Sequence, residues 1–311
     1  SSNDTITKVY NYRWWMMSKH LREYDDPHDH RKYWVVTEFF GYPAWASRSG
    51  AITCPVGHQF YDLRWLRDPK YLQSYAEYFM QGSASRLNQR ENGNFLTKLS
   101  RPESLHFSSW MIDGIESYLK IHPDHDWTRS ILPDLERHQY MLDSLFTVKN
   151  NEAETDGMYK ILDLYDGMEF SLSAVLGLIA SDGPYSIYND STWRDLYLGW
   201  GTTDRAAQTP QALQHPEAFT KGYPDYYLVR PSVGSYAYGN VSSLSNLYEL
   251  EQQINPSPDN LEKVGRYAIK ANQIREKFLK VLWNNEDSFF NTVSAGDNLF
   301  GQRDYEARVR E

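Results

Sequence analysis

Residues Pro231 to Trp283 read PSVGSYAYGNVSSLSNLYELEQQINPSPDNLEKVGRYAIKANQIREKFLKVLW, and they predict two packed helices joined by a turn at 255–258. The first helix, which ends near Gln253, is rich in small residues, as expected of an inner helix that leaves room for a ligand. The second carries a wide apolar stripe and a charged opposite face, as expected of an outer helix. Repeated pairs of inner and outer helices close into a ring whose loops form a pocket at one end. This run therefore predicts an α/α toroid.

Four other segments have helical periodicity and supply further helices. They are predicted at Tyr10–Arg22, Asp68–Met80, Ser104–Ile121 and Asp126–Val148. No sustained alternation of period two occurs, so a sheet-based core is not expected. Short strands are predicted only near Trp34–Val36 and Phe289–Val293, and Pro133 either kinks its helix or marks the first turn. We therefore predict an all-α chain in which residues 1–311 form one domain.

The composition restricts the classes of partner. Tyr, Phe and Trp make up 15% of the 311 residues, and many of these rings stand beside polar residues. Such rings suit stacking against sugars as well as the filling of a helical core. The net charge of −9 and the lack of a long basic run argue against nucleic acid. No apolar run approaches the roughly 18 residues of a membrane-spanning helix.

The sequence also bears on the compartment. The single cysteine, Cys54, excludes an internal disulfide framework. Three triplets of the N-glycosylation type occur, at Asn3, Asn189 and Asn240, and such triplets also arise by chance. The first residues lack the pattern of a signal peptide, so we expect a processed or cut chain. A secreted or extracytoplasmic location is the prediction.

The segment Leu164 to Ser171 reads LYDGMEFS and is the candidate for acid–base chemistry. Asp166 and Glu169 stand three residues apart, so they project to one side if the backbone turns there. Acid catalysis on a sugar acetal needs a carboxyl that an apolar, ring-lined pocket keeps protonated. Tyr165 and its aromatic neighbours could form that pocket. The alternative is that both carboxylates cap or begin a helix.

Further residues are candidates for contact with a substrate. His58 and Asp62 are four residues apart, which places them on one helical face, either at a pocket wall or as a buried polar pair. Arg230 could clamp a hydroxyl or carboxylate group, or form a structural salt bridge. The tryptophans are stacking platforms or core residues. The substrate-binding candidates are Glu38, Trp45, His58, Asp62, Arg64, Trp110, Tyr165, Arg230 and Tyr236.

Two histidine-rich turns, at 28–30 and 122–126, invite a metal hypothesis. Their spacing matches no compact zinc pattern, and the sequence contains no twelve-residue calcium loop. No glycine-rich phosphate loop occurs either. We therefore predict neither a catalytic metal nor a cofactor.

Two motifs resemble those of a known family. The segments Asp166–Ser171 and Arg230–Gly239 resemble the six-hairpin glycosidases of the (α/α)6 toroid, the group of trehalase, the processing α-glucosidases and the mannosylglycerate hydrolases. Tyr12–Trp15, Thr37–Phe39 and Gly57–Leu66 resemble members of the same group, so that the resemblance spans about residues 10–310. It implies an inverting, exo-acting glycoside hydrolase that removes a terminal sugar from an oligosaccharide or glycan.

The resemblance assigns roles to individual residues. The trehalase-like pattern Glu-Ser-Gly-x-Asp-x-Ser puts Glu169 at the position of the general acid, with Glu in place of Asp. Its leading Glu falls on Tyr165, so that Asp166 is left to bind a hydroxyl or orient the acid. The family's Trp-Asp pair corresponds to Trp45-Ala46, in which the aspartate is missing. The base of such toroids comes from a late helix or loop, so a chain that ends at Glu311 is expected to lack the last hairpins and the base.

Two other functions fit the same predicted fold. A polysaccharide lyase would need a Tyr or His base beside an arginine that neutralises a uronate, and His58 and Arg64 could supply these groups. A carbohydrate-binding scaffold without catalytic activity would keep the pocket and lack the base.

Overall fold

The structure is a computed structural model that describes residues 3–39, 49–86, 102–161, 228–295 and 309–310. Within these ranges the chain forms seven α-helices and only short strands, which confirms the predicted all-α class. That residues 1–311 form a single domain stays a prediction. The helices are α1 (Asp4–His20), α2 (Val56–Leu63), α3 (Lys70–Met80), α4 (Met111–Leu119), α5 (His125–Phe146), α6 (Pro231–Ile254) and α7 (Pro258–Leu282).

The strands form two small antiparallel sheets at the edges of the helical core. The first is a hairpin in which β1 (Leu21–Asp25) pairs with β2 (Lys32–Val36). In the second, a central strand at Phe289–Ser294 pairs with three two-residue strands. The predicted strands near Trp34 and Phe289 are therefore confirmed. The second sheet contains β3 (Leu228–Val229), β4 (Trp283–Asn284), β5 (Phe289–Ser294) and β6 (Val309–Arg310).

Helices α2, α4 and α6 form an inner layer and run parallel to one another. At their amino ends, Gly57 of α2 lies against the indole of Trp110, which caps α4. At their carboxyl ends, the His122 ring hydrogen-bonds to the Arg64 carbonyl at 2.9 Å. Asn240 and Asn246 of α6 contact Ile112 and Glu116 of α4 in the same chain order, so α6 runs in the same direction as α4. All three amino ends therefore lie at one end of the layer.

Helices α3, α5 and α7 return on the other side of the inner layer. In the α6–α7 pair, Gly234 lies against Phe278 and the Ser245 hydroxyl donates to the Val264 carbonyl at 3.1 Å, so the two helices are antiparallel. Apolar side chains fill the space between the two layers, and this burial is the main stabilising contribution to the fold. They include Phe60, Leu72, Tyr75, Phe79, Ile112, Ile115, Tyr118, Ile131, Leu135, Val241, Leu244 and Tyr267.

The inner layer leaves one side accessible, which we call the inner face. Helix α4 shows this most clearly, because every residue from Met111 to Leu119 except Asp113 is buried. Corresponding positions on α2 and α6 are also accessible and mostly polar or aromatic. The contrast predicted between inner and outer helices is thus confirmed. The inner face consists of His58, Tyr61, Asp62, Trp110, Asp113, Lys120, Ser235, Gly239, Ser242 and Asn246.

Several predicted helix boundaries differ from the structure, most of all the starts of α1 and α4. Helix α1 begins six residues earlier than predicted, because the Asn3 side chain accepts hydrogen bonds from the backbone of Thr5 and Ile6 and caps the helix. Its predicted end at Arg22 is wrong, because β1 begins at Leu21. Helix α4 begins at Met111, since residues 103–105 form a separate 3₁₀ turn.

The structure of α5 shows whether Pro133 lies within the helix or in its first turn. The helix begins at His125, where the Asp124 side chain accepts a hydrogen bond from the Trp127 amide, so Pro133 lies inside it. In the part of the chain that the structure describes, no helix has both the length and the hydropathy that a membrane crossing requires.

Asn240 joins α6 to α4 through three hydrogen bonds. Its carbonyl oxygen accepts from the backbone amides of Ile112 at 3.1 Å and Asp113 at 3.3 Å, and its Nδ2 donates to the Ser109 carbonyl at 2.9 Å. The side chain is buried. It therefore satisfies amide groups at the start of α4 that have no partner within the helix. Burial also makes the triplet at Asn240 a poor acceptor for a glycan.

Replacing Asn240 with alanine should lower the free energy of unfolding by about 3 kcal/mol, because it strands three buried backbone groups. Asn246→Ala is the control, since that exposed amide binds only the Glu116 carboxylate and its loss should cost about 1 kcal/mol or less. Urea unfolding measures both. Equal effects of the two substitutions would contradict the role given to Asn240.

The buried His138 makes stability depend on pH. Burial lowers the pKa of His138 from 6.5 to about 4, and the charge of Arg137 acts in the same direction. The unfolded chain therefore binds a proton at this residue below pH 6.5, and the folded chain does so only near pH 4. Stability supplied by the neutral ring is complete above pH 6.5 and declines as the pH falls.

We expect the wild type to lose about 3 kcal/mol of unfolding free energy between pH 7 and pH 4 through this residue. The His138→Leu protein should lack that part of the pH dependence. Urea titrations at several pH values measure the difference, with His125→Leu on the exposed first turn of α5 as control. Parallel pH profiles of the wild type and the His138→Leu protein would refute this prediction.

Candidate functional site

The residues predicted for the site fall into three groups. Trp45, Tyr165, Asp166 and Glu169 lie outside the described residues. A second group lies at the amino ends of the inner helices, and a third lies at their carboxyl ends. The amino-end group consists of Glu38, His58, Trp110, Arg230 and Tyr236, and the carboxyl-end group of Asp62 and Arg64.

Three predicted residues meet at the amino ends of the inner helices. The rings of Trp110 and Tyr236 lie 4.4 Å apart between centroids with an interplanar angle of 32°. The ring of His58 meets the same indole edge-on at 4.2 Å and 84°. Each ring comes from a different inner helix or its cap. We call this group the aromatic cluster, and its partly exposed rings offer an apolar face of the kind that stacks on sugars.

Gly57 is what permits this arrangement. A Cβ atom at this position would lie 2.4 Å from Nε1 and 2.5 Å from Cδ1 of Trp110. The indole therefore packs directly on the backbone of α2, where any larger residue would displace it. Gly57 belongs to the first turn of α2, beside His58, so the same turn seats the indole and carries the ring that meets its edge.

Arg230 and Glu38 lie at the same end but in different surroundings. Arg230 is the cap residue of α6 and is fully buried, which favours the structural reading of its guanidinium over that of a ligand clamp. Glu38 is exposed and follows β2, and its backbone amide donates to the Gly50 carbonyl at 3.0 Å. This bond ties Glu38 to the loop that leads into α2.

Asp62 and Arg64 serve the opposite end of α2. The carboxylate of Asp62 pairs with Arg13 of α1 at 3.3 Å, with both side chains exposed, so the pair contributes little stability. The guanidinium of Arg64 lies over the ring of Tyr61 at 4.7 Å and over that of Trp65 at 5.1 Å. Sequence spacing grouped these residues with His58, but the length of the helix separates them from the aromatic cluster.

The structure adds a polar network on the inner face that the sequence analysis did not identify. The Tyr61 hydroxyl donates to Asp113 Oδ2 at 3.0 Å, and the Ser243 hydroxyl donates to Glu116 Oε2 at 2.7 Å. Burial raises the pKa of Asp113, and the nearby Glu116 carboxylate acts in the same direction, while the bond from Tyr61 opposes both. A signal existed: Tyr61 stands three residues after His58, and Asp113 three residues after Trp110, at helical spacing.

The segment with the acid–base motif begins and ends near the amino end of α6. The amide of Ile161 donates to the Leu228 carbonyl at 2.9 Å, and the amide of Leu228 donates to the Ile161 carbonyl at 3.0 Å. Leu228 begins β3, which leads directly into α6. The chain thus leaves and re-enters the described structure at the amino end of α6. Asp166, five residues after Ile161, is within about 18 Å of it by chain length alone.

No group of three or more His, Cys, Asp or Glu side chains suited to a metal ion occurs in the described ranges.

Parallel inner helices with α3, α5 and α7 returning outside them have the arrangement of an α/α toroid. The family model of the mannosylglycerate hydrolase MGH1-like glycoside hydrolase domain matches residues 48–311. The chain belongs to this family. The match confirms the family resemblance and the glycoside hydrolase class predicted from the sequence.

A solved structure named Sialidase shares the fold, with a TM-score of 0.62 and 23% sequence identity. The alignment covers 94% of this chain and 20% of that chain, so the present chain spans about a fifth of the length of this structural neighbour. A search of curated proteins finds no match.

Substituting alanine for Gly57 should displace the Trp110 indole and disrupt the aromatic cluster. Because overpacking of a tight contact is destabilising, we expect a loss of about 1–3 kcal/mol of unfolding free energy and a changed near-ultraviolet circular dichroism spectrum. Gly265→Ala on α7 is the matched control, because a Cβ there has no atom within 4 Å. That change should stabilise the helix by about 0.5–1 kcal/mol. A crystal structure of Gly57→Ala with Trp110 unmoved would contradict the prediction.

Proposed function

We propose that the protein is an inverting, exo-acting glycoside hydrolase that removes a terminal sugar from an oligosaccharide or glycan. Glu169 is the general acid, and Asp166 binds a sugar hydroxyl or orients the acid. Membership of the glycoside hydrolase family supports the class of reaction. The mode of action and the residue roles rest on the motif at 164–171 and on its resemblance to the six-hairpin glycosidases.

One observation carries the proposal. The chain that bears Asp166 and Glu169 begins and ends at the paired residues Ile161 and Leu228, at the amino end of α6. The rings of Trp110 and Tyr236 lie at this end of the inner layer, so a short chain is enough to bring the carboxyls near them. A terminal sugar on these rings would present its glycosidic oxygen to an acid held among aromatic side chains.

The chemistry sets requirements on both carboxyls. An inverting enzyme protonates the leaving oxygen with one carboxyl and activates water with another, about 6.5–9.5 Å away. The acid has to keep its proton near neutral pH, which burial among rings such as Tyr165 accomplishes by raising its pKa. The longer side chain of Glu169, compared with the aspartate of trehalase-like enzymes, extends the reach of the acid by one methylene group.

The described arginines favour hydrolysis over the lyase alternative. A lyase needs a cation that neutralises the uronate carboxylate next to its base. Arg230 is fully buried, and Arg64 lies at the carboxyl end of α2 with its guanidinium over two rings. A fully buried guanidinium is not accessible to a uronate, and that of Arg64 is engaged at the end of α2 opposite His58.

The proposed compartment is secreted or extracytoplasmic. Of the triplets behind this proposal, Asn3 is exposed, Asn240 is buried, and Asn189 lies outside the described residues.

Replacing Glu169 with glutamine should lower kcat by about 10²–10⁴-fold, since glutamine has no proton to give to the leaving oxygen. Binding and folding should change little, because glutamine has nearly the same shape. The measurement is sugar release from a panel of α-linked gluco- and manno-oligosaccharides, with the anomer of the first product identified by NMR. Glu154→Gln is the matched control, because Glu154 is exposed on the hairpin that follows α5.

Three results would count against the proposal. Activity of Glu169→Gln above about a hundredth of the wild-type value would show that Glu169 is not the general acid. An unsaturated product that absorbs in the ultraviolet would indicate a lyase. Glycan binding without sugar release by the wild-type protein would indicate a binding scaffold.

A further inference from the structure

Asp113 occupies an unusual position in the centre of the inner face. It is the one residue between Met111 and Leu119 that is not buried. Its Oδ2 accepts a hydrogen bond from the Tyr61 hydroxyl at 3.0 Å, and its Oδ1 lies 3.4 Å from the Ser243 hydroxyl, which donates its single proton to Glu116 at the shorter distance of 2.7 Å. Both hydroxyls are uncharged. Within the described ranges the carboxylate has no ion pair, although the residue is half-buried.

Glu116, one turn further along α4, shows what a structural carboxylate looks like in this layer. Its Oε1 pairs with Lys120 at 2.8 Å and accepts from the Asn246 amide at 3.0 Å. Its Oε2 accepts from the Ser243 hydroxyl at 2.7 Å. A neighbouring cation and strong hydrogen bonds thus hold Glu116 in place. A carboxylate can accept about four hydrogen bonds, so Asp113, whose one close donor among the described residues is the Tyr61 hydroxyl, retains unused capacity.

The space around Asp113 is suited to a ligand. A Cβ atom at Gly239 of α6 would lie 3.5 Å from the Cβ and 3.6 Å from the Cγ of Asp113, so glycine leaves this flank of the carboxylate uncovered. Tyr61, on the other flank, is 38% exposed. Trp110 precedes Asp113 by three residues, which places the aromatic cluster about one helical turn away. Apolar rings and a hydrogen-bond acceptor thus lie side by side on one surface.

We propose that Asp113 is a substrate-binding residue that accepts hydrogen bonds from adjacent hydroxyl groups of an uncharged sugar ring stacked on the aromatic cluster. This inference rests on the proposed glycosidase function and assigns its substrate class. Two neighbouring hydroxyls of a pyranose match the two oxygens of a carboxylate, and hydrogen bonds to an ionised acceptor are the strong ones. A uronate or sialate would instead bring a second anion towards Asp113 and Glu116, which is unfavourable in a partly desolvated site.

The protonation state of Asp113 gives the proposal a second signature. The charged or titratable groups that face it are Tyr61 of α2 and Glu116 and Lys120 of α4, while α6 presents the uncharged Ser243. Because burial raises the pKa of Asp113, the carboxyl takes up a proton at a higher pH than an exposed aspartate does. When the Asp113 carboxyl is protonated, one of its two oxygens carries a hydrogen and is a poorer acceptor. Binding of the sugar should therefore weaken as the pH falls through this pKa.

The test is isothermal titration calorimetry of the whole protein with methyl α-glucopyranoside, methyl α-mannopyranoside and methyl α-glucuronide. We expect at least one neutral glycoside to bind more tightly than the glucuronide. Asp113→Asn should weaken that binding about tenfold or more, because hydrogen bonds to a charged group are lost. Asp126→Asn is the matched control, since Asp126 is an exposed carboxylate on the outer helix α5 and its loss should leave binding unchanged.

The inference is overturned if Asp113→Asn binds the neutral glycoside as tightly as the wild type does. It is also overturned if the glucuronide binds equally well or if no neutral glycoside binds at all. Circular dichroism checks that Asp113→Asn is folded. Should that variant not fold, the wild-type titration repeated at lower pH decides, because binding that does not weaken with acidification contradicts a role for the Asp113 carboxylate.

The outcomes also separate this inference from the proposed hydrolysis. Binding that depends on Asp113 without any sugar release would support the inference and refute the hydrolase. Hydrolysis with the same KM in the wild type and in Asp113→Asn would support the hydrolase and refute the inference.

Discussion

The register between α4 and α6 is the constraint on which the candidate site depends. The buried side chain of Asn240 on α6 fixes this register, because it hydrogen-bonds to backbone groups on both sides of the start of α4. This register brings Tyr236 against Trp110 and Ser243 against Asp113. On the other side of α4, the contact of Gly57 with the same indole sets the position of α2. The contacts of Asn240 and of Gly57 therefore align three helices so that their accessible residues form one surface.

That alignment gives the inner face two adjoining regions of different chemistry. At the amino ends, the aromatic cluster offers stacking surfaces to an apolar sugar face. One turn further along, the Tyr61 hydroxyl and the Asp113 carboxylate offer hydrogen bonds to sugar hydroxyls. The outer helices bury the apolar side of the layer, so the polar side is left for a ligand. The architecture thus separates the residues that stabilise the fold from those available for binding.

The sequence predicted best those elements whose signals are local. The α6–α7 hairpin was located within a residue or two at each end, because prolines mark the first turn of both helices and a regular apolar stripe follows in the second. The start of α4 was missed because tertiary contacts, such as the bond from the Thr53 hydroxyl to the Glu103 carbonyl, hold the preceding segment in a non-helical path. Helical spacing identified His58 but could not tell that Asp62 and Arg64 belong to the other end of α2. Asp113 carried no motif of its own, and only the packing of three helices makes it a candidate for substrate binding.

The central claim is that the inner face binds the sugar and that the acid–base motif acts there. A crystal structure of the Glu169→Gln protein with a bound oligosaccharide tests it most directly. We predict a terminal sugar stacked on Trp110 and Tyr236, with the side chain of residue 169 about 3 Å from the glycosidic oxygen. A sugar bound to the outer helices, or a residue 169 that points away from the inner face, would contradict the claim.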